Sequence, residues 1–342
     1  MCPLFLSKRI SVSYNGSMID LHVHLDGSLT REELYRLALL SGLDPNEAKT
    51  AHISVDGNCT SLEEYLRCFD YPAKVLQKEV CIEEAFYMLS SRLARSGLLY
   101  AEIRFAPQHH IKGGLNQGEV VASAIRGIER TKKEYAFPCN IILCAMRGKG
   151  NEKENLETVE MAKDFYNQGV VGLDLAGAES LYPTKDFAYV FQKANEYGIP
   201  FTIHAGESEG PSSVWEAVRF GAARIGHGVR AVEDRSLLSF LAATGIVLEL
   251  CPSSERDTHA ISSYEALPIK ELLKAGVKVC LNSDDMTVSN ITLQEECLKV
   301  QKTFDFSSET MKMFYFTSVE AAFLDREQKD FLREQLEKRY ER

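Results

Sequence analysis

Short β-branched runs alternate along the chain with stretches whose apolar residues recur every three or four positions. That alternation predicts repeated strand–helix units around a parallel sheet. Runs of the first kind lie at 18–23 (MIDLHV), 99–105 (LYAEIRF), 139–146 (CNIILCAM), 170–175 (VVGLDL), 200–204 (PFTIH), 223–227 (ARIGH), 245–250 (GIVLEL) and 277–282 (VKVCLN). Eight such strands close a barrel, so the expected fold class is α/β, a (β/α)8 TIM barrel. Segment 154–168 shows the helical pattern: Leu156, Val159, Met161, Ala162 and Phe165 make one apolar stripe, and Gly169 stops it. The stretch between the first two strands holds helical patterns near 30–41, 61–76 and 79–96, enough to cap one end of the barrel as a lid-like insertion over 30–97. From residue 306 the sequence is charged and helical and reads as extra C-terminal helices with i,i+4 charge pairs. The expectation is one barrel over 18–342. Residues 1–17 stand outside the pattern as an N-terminal extension, read as a disordered tail, and Met18 serves equally well as a start.

Composition narrows the function classes. The chain has 342 residues, 45% of them hydrophobic and 26% charged, which is enough to fill a large core. Lys+Arg 39 against Asp+Glu 49 leaves a net charge of −10, a field that repels nucleic-acid backbones and anionic lipid surfaces. Nine cysteines without a CxxC pair suggest neither a disulfide framework nor a thiolate zinc site, and point to reduced thiols in the cytoplasm. The first seventeen residues have too short an apolar run for a signal peptide, and no window reaches a membrane span.

In a (β/α)8 barrel the chemistry sits at the C-terminal ends of the strands. There the sequence places His22 and His24 with Asp26 just beyond, Asp174 to Gly177, His204 to Glu207, His227 between two glycines, and Asp284-Asp285. Strand residues two apart share a face, so His22 and His24 can reach one cation. A lone HxH is more often a hydrogen-bonded core pair than a metal site. With His204 and Asp284 added, the set suits a catalytic Zn²⁺, although Fe²⁺, Co²⁺ and Mn²⁺ fit the same donors.

Taken together, MIDLHVHLDGSL, DLAG, HAGE, RIGHG and LNSDD, in that order and at the ends of strands one, four, five, six and eight, resemble the adenosine deaminase family of the amidohydrolase superfamily; IRFAPQ and CPSS fit as well. The resemblance runs from Met18 to about residue 325. It implies one Zn²⁺ per chain, held by His22, His24, His204 and Asp284, that lowers the pKa of a bound water to about 7 for attack on C6 of a purine. It further implies that Glu207 donates a proton to ring N1, where the competing use is capping of a helix start. His227 would orient the attacking group, Asp285 would bind N7, and the Gly177 N–H would bind N3. The neighbours Asp284 and Asp285 cannot share a face of a strand, so the turn after strand eight must redirect one of them.

By the same resemblance Asp26, with His24, would take the ribose 5′-hydroxyl. An acid there favours an unphosphorylated nucleoside, since relatives acting on adenine carry HLEG and those acting on N6-alkylated nucleotides tend to carry asparagine. Tyr65, Leu66 and Phe69 would form an apolar lid over the ribose side, with an ordinary core stripe as the competing view. Two departures stand out: Glu255-Arg256-Asp257 in place of an amide after CPSS, and Met286 where proline usually follows SDD. Both bear on which nucleoside is preferred, with adenosine, 2′-deoxyadenosine or a modified adenosine in view. Outside this reading stand a two-metal hydrolase, disfavoured because VVGLDL lacks a bridging lysine, and a non-catalytic barrel, disfavoured by Glu207 beside the ligands. The HxE…PCxxC arrangement of polynucleotide deaminases is missing.

Overall fold

A computed structural model describes residues 18–340 apart from 56–58 and 60–61, so the expected extension at 1–17 lies outside the described residues. Eight parallel strands form in sequence order: β1 (Ile19–His24), β2 (Tyr100–Phe105), β3 (Cys139–Met146), β4 (Val170–Ala176), β5 (Thr202–Ala205), β6 (Arg224–His227), β7 (Val247–Leu250) and β8 (Lys278–Leu281). They hydrogen-bond as two four-stranded halves, β1 to β4 and β5 to β8. Two narrow seams join the halves. At one, Leu173 bridges Phe201; at the other, Val23 bridges Asp284, with His24 N donating to Asp284 O and Asp284 N to His22 O, each at 2.8 Å. The ring so formed is the (β/α)8 barrel.

Period-two alternation sorts the first strand into an outer apolar face and an inner polar one. In β1, Ile19, Leu21 and Val23 join the hydrophobic core under the helices, while Asp20, His22 and His24 take the other face. The inner face is charged. Arg104 on β2 donates across the barrel to Glu249 on β7 (2.9 Å) and to Asp174 on β4 (2.9 Å), and Arg224 on β6 donates to Glu249 (2.5 Å) and Glu102 (2.6 Å). All are buried, so each charge depends on its partners.

The helix Arg31–Ser41 opens the insertion after β1. It starts on a capping box, Thr30 with Glu33, and ends at Gly42, whose φ of 78° requires a residue without Cβ strain. The expected helix over 61–76 is two helices, Leu62–Arg67 and Asp70–Val75. Pro72 explains the break, since it cannot donate to the Cys68 carbonyl, and the chain between closes with Phe69 N to Leu66 O instead. The helix expected over 154–168 spans Glu152–Asp164, because the backbone turns through Asn167 (φ 59°) and Gly169 (φ 118°) before β4. The helix Glu79–Arg95 completes the insertion, and Ser308–Ala321 and Arg326–Tyr340 form the tail, the last burying only Leu332 and Leu336. The eight described cysteines are buried, and none of them forms a disulfide with another described residue. No described helix is long and apolar enough to cross a membrane.

Candidate active site

The C-terminal rim gathers the four expected donors at one point. His22 Nε2 lies 3.1 Å from His204 Nε2 and 3.2 Å from Asp284 Oδ1. His24 Nε2 lies 3.2 Å from His204 Nε2 and 3.3 Å from Asp284 Oδ1. Ligands at about 2.1 Å from a tetrahedral ion stand roughly 3.4 Å apart, so these spacings match a metal's coordination shell. The surroundings set the charge of three of these donors. Burial holds His24 and His204 below the usual imidazole range, leaving them neutral. Burial alone would raise Asp284, but the surrounding histidines, His22 first, hold it well below the carboxylate range. His227 also falls within the cluster: donor atoms of His22, His204, His227 and Asp284 all lie within 4.8 Å of one another. Its Nε2 approaches the other oxygen of Asp284, Oδ2, at 3.9 Å, and so stands beside the four rather than among them.

Two of the histidines are aimed from behind by carboxylates. His22 Nδ1 meets Glu249 Oε2 at 2.8 Å, and His204 Nδ1 meets Asp174 Oδ2 at 2.9 Å. Each contact puts the ring proton on Nδ1 and turns the Nε2 lone pair to the cluster. Arg104 binds both carboxylates and the Leu21 carbonyl, linking the two histidines through one buried guanidinium. Burial would raise Asp174 and Glu249, yet His204 and Arg104 hold the first, and Arg104 and Arg224 the second, well below their usual range. Sequence reasoning missed this support. The signal was present as charges at alternate positions of otherwise apolar strands, Glu102 and Arg104 in YAEIRF and Glu249 in VLEL.

Glu207 stands on the β5 loop beside the cluster. Its Oε1 accepts from Thr258 Oγ1 at 2.9 Å, and Oε2 lies 3.8 Å from His227 Nε2. His227 itself is strained, at φ 61°, and the flanking glycines are needed: a Cβ on Gly226 would stand 3.1 Å from His22 Cε1, and Gly228 has φ 73°. Burial lowers the His227 pKa, but Glu207, Glu255 and Asp284 outweigh it and raise it to about 10. A dication at the cluster opposes that charge. The atypical Glu255 lies beneath the site, accepting from Cys251 N at 2.9 Å and facing His227 Nδ1 at 3.6 Å. Met286 is buried against Arg92, its sulfur accepting from Nη1 at 3.7 Å. Neither is among the residues that line the cavity.

The cavity over the cluster measures about 230 Å³ and is lined by His24, Gly177, His204, Glu207, His227, Asp284 and Asp285, with Tyr65, Leu66 and Phe69 from the insertion. The redirection expected after β8 occurs at Asp284, whose φ of 57° turns Asp284 to the histidines and Asp285 to the insertion. Asp285 Oδ2 accepts from Tyr65 OH at 2.8 Å, and its other oxygen packs on Gly27, where a Cβ would come within 1.9 Å. Burial and the charge of Asp284 push the Asp285 carboxyl well above its usual range. Tyr65 belongs to a small apolar cluster with Val55, Cys59, Cys68 and Val288, apart from the main core, and Leu66 is 40% exposed. Gly177 has φ 105° and lies on the cavity wall.

Asp26 opens onto a second chamber of about 360 Å³ that shares His24, Leu66, Phe69 and Gly177 with the first. Its Oδ1 has no hydrogen-bond partner and lies 3.6 Å from His110 Nε2. Burial raises the Asp26 pKa to about 6, against the pull of His109.

Comparison with known proteins agrees with this geometry. The family model described as Adenosine deaminase matches residues 18–339. An adenosine deaminase of Haemophilus ducreyi is 41% identical over 331 residues, covering 94% of this chain and 96% of that one. Among solved structures, an adenine deaminase from Arthrobacter aurescens superposes with a TM-score of 0.86 at 24% identity, covering 96% and 100% of the two chains. An amidohydrolase from Burkholderia ambifaria, with bound Zn, superposes with a TM-score of 0.85 at 18% identity over 97% and 95%. These two share the fold. With the family model spanning the whole barrel and a full-length relative well above 30% identity, the chain belongs to the adenosine deaminase family.

Proposed function

We propose that this chain catalyses the hydrolytic deamination of adenosine and 2′-deoxyadenosine to inosine or 2′-deoxyinosine and ammonia, a step of purine salvage, using one zinc ion held by His22, His24, His204 and Asp284. The observation that carries the reading is the convergence of three imidazole Nε2 atoms, those of His22 and His24 both on His204 Nε2 and on one oxygen of Asp284, with Glu207 in the same cavity. The family and the bound Zn of the Burkholderia ambifaria amidohydrolase support the metal assignment. When bound, zinc supplies Lewis acidity that makes water nucleophilic at neutral pH.

The protein's own groups then have distinct tasks. Water gives its oxygen to C6, and its two protons end on N1 and on the departing ammonia. A group between C6 and N1 must therefore carry a proton, and Glu207, oriented by Thr258, is placed to do so. His227 orients the water from its strained position next to Glu207. Asp285, uncharged when its carboxyl is protonated, donates to ring N7, and the Gly177 N–H faces N3. His24 and Asp26 take the ribose 5′-hydroxyl, which would satisfy the unpartnered Oδ1. Tyr65, Leu66 and Phe69 cover the sugar side as part of a lid-like insertion over 30–97. The substrate is a small uncharged nucleoside and not a nucleic acid, in keeping with the net charge of −10. Buried cysteines outside any disulfide among the described residues support a reducing, cytoplasmic setting.

A second reading, a 5′-modified adenosine, has the chamber beyond Asp26 in its favour, since that space exceeds what a hydroxyl needs. The test is a steady-state panel of adenosine, 2′-deoxyadenosine, methylthioadenosine and adenine, with metal analysis of the same sample. Highest kcat/KM for the first two with one equivalent of zinc is expected. Adenine as the best substrate would sink the role given to Asp26, and two equivalents of metal would favour a binuclear hydrolase.

A further inference from the structure

The loop after β5 has no ladder or helix to satisfy its amides, yet it carries Glu207. Four consecutive N–H groups of this loop converge on one side chain from the loop after β4. Glu179 Oε1 accepts from Gly206 N (2.8 Å), and Oε2 accepts from Glu207 N (3.1 Å), Ser208 N (2.9 Å) and Glu209 N (2.9 Å). Ser213 Oγ, from the first turn of the helix Pro211–Phe220, adds a bond of 2.5 Å to Oε1. The residue is 2% exposed, so its charge is compensated by these donors and by Arg147 nearby. A brace continues from there. Ser213 Oγ meets Thr184 Oγ1 at 2.6 Å, and Arg147 binds both Thr184 Oγ1 (2.9 Å) and the His204 carbonyl (2.6 Å). The stretch from ligand to acid is thus fixed at its start by Arg147 and along its length by Glu179.

From this geometry we propose that Glu179 is the positioning residue for Glu207: its carboxylate fixes the loop Gly206–Glu209 so that the Glu207 carboxyl stands where ring N1 must be protonated. The inference rests on the reading of Glu207 as proton carrier. Neutral replacements fail for a definite reason. Glutamine at 179 keeps the shape but turns one acceptor into an N–H2 that faces amide donors, so the loop must rearrange. A shift of about 1 Å in a catalytic group costs on the order of 100-fold in rate.

The test is Glu179→Gln in the full zinc-loaded chain. Expected are a fall in kcat of about 10- to 100-fold, KM for adenosine within about 2-fold, unchanged zinc content, and faster hydrogen exchange of the amides at 206–209. In the double variant with Glu207→Gln, kcat falls no further than in Glu207→Gln alone, whereas the effect multiplies with that of Asp26→Asn. Unchanged kcat and exchange, loss of zinc in proportion to activity, or multiplication with Glu207→Gln would each overturn the proposal. If Glu179→Gln does not fold, Ser213→Ala removes one donor to the same carboxylate and should lower kcat roughly 3- to 10-fold with KM steady; an unchanged kcat there overturns it too. Wild-type protein that does not deaminate adenosine would sink the reading of Glu207 instead, and with it the positioning role, while amide exchange would still decide whether Glu179 holds the loop.

Discussion

Asp284 shows how one backbone angle decides which side chains meet. Its φ of 57° costs a non-glycine residue on the order of 1–3 kcal/mol, and in return consecutive aspartates serve two partners, the histidine cluster and Tyr65. Glu207 touches Thr258 and lies beside His227, and it is not one of the four clustered donors. Glu207→Gln should therefore lower turnover by a factor of 10² to 10⁴ while zinc content stays at one per chain, measured by initial rates and metal analysis together. Arg104→Gln acts differently, because it leaves Asp174 and Glu249 buried and short of a cation. A loss of about 3–5 kcal/mol in chemical denaturation and 10- to 100-fold weaker zinc binding are expected.

Away from the site, burial raises Glu296 to about 7 despite the pull of two hydrogen bonds from Ser253. The folded state then holds a proton that the unfolded chain releases near 4.5, so stability from this group is complete below that pH and is lost as pH rises through 7. Glu296→Gln should flatten the decline of Tm between about pH 5 and 8, with roughly 3 kcal/mol as the upper bound. A parallel decline in both proteins would refute the assignment. The proposed metal donors and Glu207 could be singled out in the sequence because strand ends and i,i+2 spacing bring them to one rim. Glu179, Glu249 and Arg104 could not, since their partners lie 25 to 227 positions away and only folding brings them together.

At the scale of elements, all eight strands were readable within about three residues at either end, because apolar runs and turn residues bound them locally. The helices were read less well. Pro72 split one, and left-handed residues at 167 and 169 shortened another, both backbone effects that an apolar stripe does not register. The short helix Leu62–Arg67 matters most for function, as Tyr65 ties it to Asp285 and to Ser254 Oγ at 3.1 Å. Tyr65→Phe removes that tie and leaves the ring in place. KM for adenosine should rise about 5-fold with kcat within 2-fold, the signature of a lost hydrogen bond of about 1 kcal/mol in binding alone. An equal fall in kcat would instead place Tyr65 in the chemical step.

For the whole molecule, the proposed zinc, bound to the folded chain alone, would stabilise it by mass action. Chelation should lower Tm by several degrees and abolish turnover, and zinc should restore both; a Tm indifferent to chelator would argue against a site preformed by folding. The distribution of that stability is set by the seams. Each half of the barrel is laced by full ladders, while the halves meet through isolated bridges at Leu173–Phe201 and Val23–Asp284. The proposed ligands divide evenly across the second junction: His22 and His24 come from the first half, His204 and Asp284 from the second. A single ion is then a rivet between two half-shells. Its removal would loosen the molecule along one line, and amide exchange at His24 and Asp284, whose N–H groups cross that line, would report the parting before either half frays.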